Sequence, residues 1–268
     1  MDHSQHLIQD NTFIDWVPAA LILIIGILYL LLYAALKRRN KSWRLWQVGS
    51  FLIGIILLIV ALSPSMMHWG HADMRGHMVQ HLLIAMYAPI FMVLGAPITL
   101  ILKTAPKRFS RLFFRLMKYQ FFRFLSHPIT AALLNTGGMF VLYLSPLYLA
   151  SFEHPALHHL IHLHFLLAGY LYTWSLIGPD PAPERPGFSV RLGVLFVSMA
   201  AHAYLSKLMY AHVLPTNAPH SADEIRKGAK LMYYWGDLSE LILVILLFSF
   251  WFYNKNRSRQ NLTLLKDI

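Results

Sequence analysis

Seven long apolar runs decide what this chain can fold into. A helix that crosses the hydrocarbon core of a bilayer needs about 20 mostly apolar residues. Each run approaches that length and is bounded by polar or turn-forming residues. We therefore predict an all-α, polytopic integral membrane helical bundle with seven transmembrane helices, in a single domain over residues 1–268. The predicted spans are 17–36, 45–62, 77–102, 128–149, 156–177, 190–212 and 230–253.

The composition agrees with a membrane protein and argues against most soluble classes. Hydrophobic residues make up 57% of the chain and charged residues only 13%, whereas a soluble domain has about 25% charged residues. A net charge of +11 is typical of nucleic-acid binders, but the apolar content makes a nucleic-acid partner unexpected. Because the chain has no Cys, soft-metal chemistry must use its 15 His and 12 Met side chains.

The positions of the basic residues predict the orientation in the membrane. Of the 23 Lys and Arg residues, 18 fall in the connections after the first, third and fifth runs and in the C-terminal tail. An excess of basic residues marks the cytoplasmic side, so we expect the N-terminus outside and the C-terminus inside. Acidic residues and no Lys or Arg precede the first run, which is unlike a signal peptide. We expect this run to be a retained span.

Three of the segments that connect the runs carry predictions of their own. Residues 104–124 alternate basic and apolar side chains, which favours an amphipathic helix on the inner leaflet over a solvated loop. The Gly-Pro-Asp-Pro sequence at 178–181, continuing to Pro186, predicts a rigid turn without helical character. The polar stretch 215–228 is expected to cap the outer face.

The histidines collect on one side of this topology. Fourteen of the 15 fall in the outer half, and only His127 lies at the inner surface. Residues four apart on a helix share one face, with Cβ atoms about 5 to 6 Å apart. Two such pairs, His77 with His81 and His158 with His162, form a plausible metal clamp.

Two further ionisable residues lie at similar depths in later spans. Counted at about 1.5 Å per residue from the outer helix ends, His81, His162, Asp237 and His202 fall within one zone of the bundle. Ionisable groups inside a membrane are costly and mark functional sites by default. The alternative for each histidine is an interfacial or packing role. The predicted metal site consists of His77, His81, His158, His162, His202 and Asp237.

Some neighbouring residues offer competing interpretations. Lys207, predicted to be buried, is expected to pair with Asp237 or Glu240, leaving the other acid to orient a histidine. We assign Asp237 to that second role because its depth matches His162. Two weaker soft-metal candidates are a group of methionines near the third run and a pair of histidines in the N-terminal tail. They are Met66, Met67, Met74 and Met78, and His3 and His6.

Three motifs make the sequence recognisable. The third run begins His77-Met-Val-Gln-His81, the fifth contains His158-His-Leu-Ile-His162, and the seventh contains Trp235-Gly236-Asp237-Leu238. The third run ends in Gly-Ala-Pro at 95–97, and the fifth in Gly-Pro-Asp-Pro at 178–181. Over roughly residues 63–253 the chain resembles the CtaG family of cytochrome c oxidase assembly factors of bacterial membranes.

The resemblance implies a role in the maturation of a haem-copper oxidase. The motif positions of the family fall on His77, His81, His158, His162 and Asp237. Imidazole and thioether ligands suit Cu(I). We therefore expect a copper-binding chaperone in the bacterial cytoplasmic (inner) membrane, in contact with the lipid bilayer and with a cytochrome c oxidase subunit, and not an enzyme.

Three other functions remain open on the residues alone. Three histidines and a carboxylate also suit zinc, so a membrane zinc hydrolase with Asp237 or Glu240 as base is the first alternative. A haem-binding electron carrier with axial ligands from His81, His162 or His202 is the second. The third is a structural partner of the oxidase whose histidines only pack and form hydrogen bonds.

Overall fold

The computed structural model describes residues 15–183 and 185–264, with side chains as far as Asn256. In this part of the chain all regular secondary structure is helical. The predicted tail site at His3 and His6 lies outside the described residues. The helices are α1 Val17–Arg38, α2 Leu45–Ala61, α3 Pro64–Ala72, α4 Met74–Leu94, α5 Pro97–Thr104, α6 Lys107–Met117, α7 Gln120–Leu125, α8 Pro128–Leu144, α9 Leu147–Glu153, α10 Pro155–Ile177, α11 Phe188–His212 and α12 Ala222–Leu264.

Between five and seven of these units can cross a membrane. The helices α1, α4, α10, α11 and α12 are each long and apolar enough to do so alone. Two pairs, α2 with α3 and α8 with α9, are bent by 55° and 77°, and each adds one span if it crosses as a unit. The prediction of a multi-pass helical membrane protein is confirmed, with seven as the upper number of spans.

The outer surface of the bundle is apolar in the way that contact with lipid requires. On α1, Leu21, Ile24, Leu28 and Leu31 are all at least half exposed, and their spacing places them on one helix face. A soluble protein rarely leaves so large an apolar face in water. This face is the expected contact with acyl chains.

The basic connections meet at one end of the bundle. The Arg39 guanidinium, after α1, donates a hydrogen bond to the carbonyl of Thr104 at 2.9 Å, at the end of α5. At the opposite end the rings of His71 and His158 lie 4.6 Å apart. We call these the basic end and the histidine end. Their separation within the structure agrees with the predicted alternation of charge along the chain.

The third predicted span is shorter than expected. It was predicted to continue to residue 102, but α4 ends at Leu94 and α5 starts at Pro97. Ala96 between them has φ 50° and ψ 52°, a left-handed conformation that stops an α-helix. The Tyr29 hydroxyl donates a 2.8 Å hydrogen bond to the carbonyl of Gly95 and so satisfies an acceptor at the helix end. The apolar run therefore continues through a backbone break that hydropathy does not register.

Two spans contain a π-helical turn, Leu83–Tyr87 in α4 and Leu133–Gly137 in α8. In α4 the turn is followed by Pro89, which has no N–H to donate to the carbonyl of Ala85. That carbonyl faces Gly169 of α10, where an added Cβ would lie only 2.1 Å from its oxygen. The π-turn and the glycine together bring α4 and α10 into backbone contact.

The segments between spans partly follow their predictions. The basic region forms α6 and α7, and α6 has basic residues and no buried side chain, so a surface helix was predicted correctly there. The described residues from Gly178 to Pro186 are non-helical, as expected. The last helix, α12, begins at Ala222, eight residues before the predicted start of the seventh span, so part of the polar stretch 215–228 is helical.

Candidate metal centre

The two predicted histidine pairs are buried near the histidine end. His77 and His81 on α4, and His158 and His162 on α10, are each less than 10% exposed. We call these four residues the histidine cluster. The backbone contact between Ala85 and Gly169 fixes their relative heights. Counted along the helices from that contact, His81 lies about 6 Å and His162 about 10 Å towards the histidine end.

His81 faces a methionine from a third helix. Its Nε2 lies 2.9 Å from the Sδ of Met139 on α8, and its ring lies 5.1 Å from that of Phe165 on α10. Met139 is 1% exposed. Both residues are next to a π-turn, since His81 lies two residues before Leu83 and Met139 two residues after Gly137. Such turns often occur at functional sites, and here they bring an imidazole and a thioether together.

His158 and His162 form a row of rings with His71 of α3. The ring centroids of His71 and His158 are 4.6 Å apart, and those of His158 and His162 are 4.3 Å apart. The Nε2 of His158 and the Nδ1 of His162 are buried and have no hydrogen-bond partner in the described residues. A buried polar atom without a partner costs about 1 to 3 kcal/mol. These two nitrogens are therefore available to a ligand.

His77 already has a protein partner. Its Nε2 lies 3.2 Å from the hydroxyl of Tyr143, and that hydroxyl also lies 3.8 Å from the Sδ of Met78. A neighbouring tyrosine, Tyr148, contacts His220 at 3.0 Å. Burial lowers the pKa of His220, which lies in the loop before α12, below its ordinary value. His77 thus belongs to a buried network of tyrosines and methionines.

The histidine cluster does not form a ready-made chelate. In the described part of the chain, no three of its histidines place ligand nitrogens within 4.8 Å of one another. An ion there would be held by two imidazoles and a thioether, or by all four histidines after a change of side-chain rotamers. The imidazole and thioether donors are those that suit Cu(I).

Two other predicted residues form a second group with Glu240. One ligand atom from each of His202, Asp237 and Glu240 lies within 4.8 Å of the other two. His202 and Glu240 are 0% and 2% exposed, and Asp237 is partly exposed. We call this the His-Asp-Glu group. The ligand atoms of His202 and Asp237 thus converge with Glu240, and in the described residues they form no such group with the four histidines with which they were predicted.

A glycine makes the second group possible. A Cβ added to Gly236 would lie 2.1 Å from the Cε1 of His202, so the backbone of α12 rests directly against the imidazole. The Ser239 hydroxyl donates to the carbonyl of Gly236 at 2.8 Å. The Trp-Gly-Asp motif thus combines a contact surface for His202 with the first of the two acids.

The expected ion pair of Lys207 is absent from the described residues. Lys207 is exposed, and its Nζ lies 5.3 Å from the ring centre of Tyr233. Neither Asp237 nor Glu240 forms a salt bridge with it within 4.0 Å. The prediction that this lysine is buried was wrong, because the side chain leaves the bundle over an aromatic ring instead of entering it.

Other candidates lie away from both groups. His159 and His164 are exposed on other faces of α10, and His164 lies 3.1 Å from the carbonyl of Leu134. Met67 accepts a hydrogen bond from Gln80 at 2.8 Å. Sequence reasoning missed Met139 and Tyr143, and it considered Glu240 as a partner for Lys207 or as a catalytic base but not as a metal ligand. The spacing of Asp237 and Glu240, three residues apart on one helix face, was the signal for the acid.

The motif that ends the fifth run has a structural role at the basic end. The Asp180 carboxylate accepts hydrogen bonds from the backbone N–H groups of Ile98 at 3.1 Å and Thr99 at 2.7 Å. These are free donors in the first turn of α5. Asp180 is 1% exposed. The two sequence motifs that end the third and fifth runs therefore bind each other.

Comparison with known proteins identifies relatives and a family. Over 259 residues the chain is 29% identical to Uncharacterized protein ML1998 of Mycobacterium leprae (strain TN), covering 88% of this chain and 39% of that protein. The chain is also 33% identical, over 193 residues, to Uncharacterized protein Mb0105 of Mycobacterium bovis (strain ATCC BAA-935 / AF2122/97) and to Uncharacterized protein MT0111 of Mycobacterium tuberculosis (strain CDC 1551 / Oshkosh). Each of these alignments covers 69% of this chain and 29% of the relative. The chain thus spans about two fifths or less of the length of these relatives. No solved structure matches it.

The family match covers most of the chain. The family described as cytochrome c oxidase caa3 assembly factor (Caa3_CtaG) matches residues 27–254. This range contains the histidine cluster, the His-Asp-Glu group and the motifs on which the resemblance was based. This chain is a member of the Caa3_CtaG family of cytochrome c oxidase caa3 assembly factors.

Proposed function

We propose that this chain assembles a haem-copper cytochrome c oxidase by holding copper in the histidine cluster and helping its insertion. The membership in a family of oxidase assembly factors supports the assembly role. The contact between the Nε2 of His81 and the Sδ of Met139 supports the metal. This contact is buried, involves no charged side chain and pairs an imidazole nitrogen with a thioether. Such a pair of donors favours Cu(I) over harder ions.

The arrangement of ligands fits transient binding better than permanent storage. Neutral imidazole and thioether donors hold copper without the thiolates of a tight site, and the chain has no Cys. The two unpartnered nitrogens, on His158 and His162, lie close to the histidine end of α10. Copper would therefore enter and leave at that end. With the basic end in the cytoplasm, as proposed from the positive-inside rule, the histidine end faces the outside of the cytoplasmic membrane.

An oxidase subunit would receive the ion at this end. The short helices α3 and α9 cover it, and the ring of His71 on α3 extends the row of His158 and His162 outwards. His71 is exposed. A row of imidazoles from a buried pair to an exposed one provides successive ligands for an ion that leaves the bundle.

The test compares two double variants of the full-length protein in detergent. His81→Ala with His162→Ala removes a ligand from each helix of the histidine cluster. The matched control, His159→Ala with His164→Ala, removes two exposed imidazoles from α10. Both are loaded with Cu(I) under reducing conditions and analysed for metal and for visible absorption. The wild type and the control are expected to bind copper, and the cluster variant is expected to lose it.

Other outcomes separate the alternatives. If the wild type binds no copper under these conditions, the copper proposal fails and a scaffold for the oxidase remains. A Soret band that depends on the cluster would indicate a haem carrier instead. Assembly is tested in cells, where the cluster variant should leave the oxidase inactive and poor in copper while the control supports normal oxidase. Normal copper content of the oxidase with the cluster variant would contradict the proposed delivery.

A further inference from the structure

We propose that the His-Asp-Glu group is a second metal site, which binds a divalent ion of the zinc class independently of copper. It lies between α11 and α12 rather than between α4 and α10. This inference goes beyond the proposed function and does not depend on it. It rests on the distances between three side chains, the burial of two of them and the presence of two carboxylates.

The polar atoms of this group lack the partners that burial demands. Both ring nitrogens of His202 and the Oε2 of Glu240 are buried without a hydrogen-bond partner in the described residues. Nearly all buried side-chain polar atoms in proteins have such a partner. Their ligand atoms already converge within 4.8 Å. A bound cation would give a partner to the Oε2 of Glu240 and to one ring nitrogen of His202, with Asp237 as a third ligand.

Charge balance points to a divalent ion. The carboxylate of Glu240 is buried, where an isolated charge is very costly, and the partly exposed carboxylate of Asp237 lies beside it. The nearby cation, Lys207, is exposed and forms no salt bridge with either acid in the described residues. One ion of charge +2 would neutralise both carboxylates while the imidazole stays neutral.

The donor atoms distinguish this site from the histidine cluster. Imidazole nitrogen and carboxylate oxygen are both ligand types that zinc accepts, and three protein ligands leave one of its four coordination positions open. Cu(I) prefers sulfur and imidazole, and the His-Asp-Glu group contains no sulfur ligand. The two sites are therefore expected to select different metals.

The second site also lies deeper in the bundle. Ser239, beside Glu240, has its Oγ 3.6 Å from the Sδ of Met86 on α4. Met86 is five residues beyond His81, which corresponds to roughly 8 Å along a helix. The tyrosine that follows, Tyr87, donates a 2.8 Å hydrogen bond to the carbonyl of Trp235. Both contacts place the His-Asp-Glu group on the basic side of His81.

The experiment titrates metal-free, full-length protein in detergent with Co²⁺, whose visible absorption reports coordination, and then displaces it with Zn²⁺. Glu240→Gln keeps the shape of the side chain and removes its charge. Glu224→Gln changes a partly exposed acid in the first turn of the same helix and is the control. We expect the wild type and the control to bind one Co²⁺, and Glu240→Gln to bind at least tenfold more weakly. Cu(I) binding is expected to be unchanged in all three.

A second variant and a comparison complete the test. Asp237→Asn alters the partly exposed ligand and serves if Glu240→Gln does not fold, as judged by gel filtration. It is also expected to weaken Co²⁺ binding at least tenfold. The inference is overturned if the wild type binds neither Co²⁺ nor Zn²⁺, or if both acid variants bind as tightly as the control. It is also overturned if His81→Ala with His162→Ala abolishes Co²⁺ binding, because the six residues would then form one site.

Discussion

The carboxylate of Asp180 lies 2.7 Å from the backbone nitrogen of Thr99, although 81 residues separate them in sequence. The same carboxylate accepts from Ile98, so one side chain satisfies two donors at the start of α5. The Arg185 side chain in turn donates to the carbonyl of Asp180 at 2.9 Å. The loop after α10 is thereby fixed to α5, the helix that follows α4. The spans α4 and α10 are the two that hold the histidine cluster.

Asp180→Ala is expected to destabilise the protein by about 2 kcal/mol, because two buried donors lose their acceptor. The free energy of unfolding is measured in mixed micelles. Asp223→Ala is the control, since Asp223 is exposed and its pair with Lys227 at 2.5 Å is a surface salt bridge, worth at most about 1 kcal/mol. Equal losses of unfolding free energy in the two variants would show that the hydrogen bonds from Asp180 to α5 contribute no more than a surface salt bridge.

Gly169→Ala is expected to separate α4 from α10. The added Cβ would lie 2.1 Å from the carbonyl oxygen of Ala85, and a backbone atom cannot move away without moving its helix. We expect a loss of about 3 kcal/mol in the free energy of unfolding and a lower copper content. Gly49→Ala on α2, where no atom lies within 4 Å of the new Cβ, is the control and should not lower the stability. Wild-type stability for Gly169→Ala would contradict the close contact.

The pattern of hydrophobicity predicted a multi-pass helical protein, since bilayer thickness fixes the length of a span. It failed at Ala96, where the chain remains apolar while the backbone turns. The histidine pairs were predictable because four residues make about one helical turn. Met139 was not, because a methionine in an apolar span looks like any lipid-facing residue. Its contact with His81 depends on how α8 packs against α4, which periodicity within one helix does not encode.

The split of the predicted site into two groups has a similar cause. His202 is buried inside the bundle, whereas Asp237 is partly exposed. Rotation about each helix axis decides which residues meet, and Gly236 sets that rotation by admitting the ring of His202. Lys207 illustrates the same limit, since its position in the sequence lies inside a span while its side chain is exposed.

Gly236→Ala is expected to displace His202, because the new Cβ would lie 2.1 Å from the Cε1 atom of the ring. The free energy of unfolding should fall by about 1 to 3 kcal/mol, and Co²⁺ binding should weaken at least tenfold while Cu(I) binding is kept. Gly193→Ala on α11 is the control, since its Cβ would meet no atom within 4 Å. Undiminished Co²⁺ affinity in Gly236→Ala would argue against His202 as a ligand.

The stability of the histidine end is expected to fall in acid through Asp73. This carboxylate, before the first turn of α4, accepts a hydrogen bond from the backbone N–H of Arg75 at 2.8 Å. It also forms a salt bridge with the guanidinium of Arg75 at 2.5 Å. The side-chain hydrogen bond from Arg75 lowers the pKa of Asp73 below its ordinary value of 3.8. A carboxylate with a lowered pKa stabilises the folded state above the unfolded pKa, and this contribution is lost as the pH falls through about 4 towards the folded value. Asp73→Asn should therefore be less stable than the wild type at pH 7 and approach it near pH 3, measured by thermal unfolding in detergent. A stability difference that stays constant over this range would show that the charge of Asp73 does not contribute.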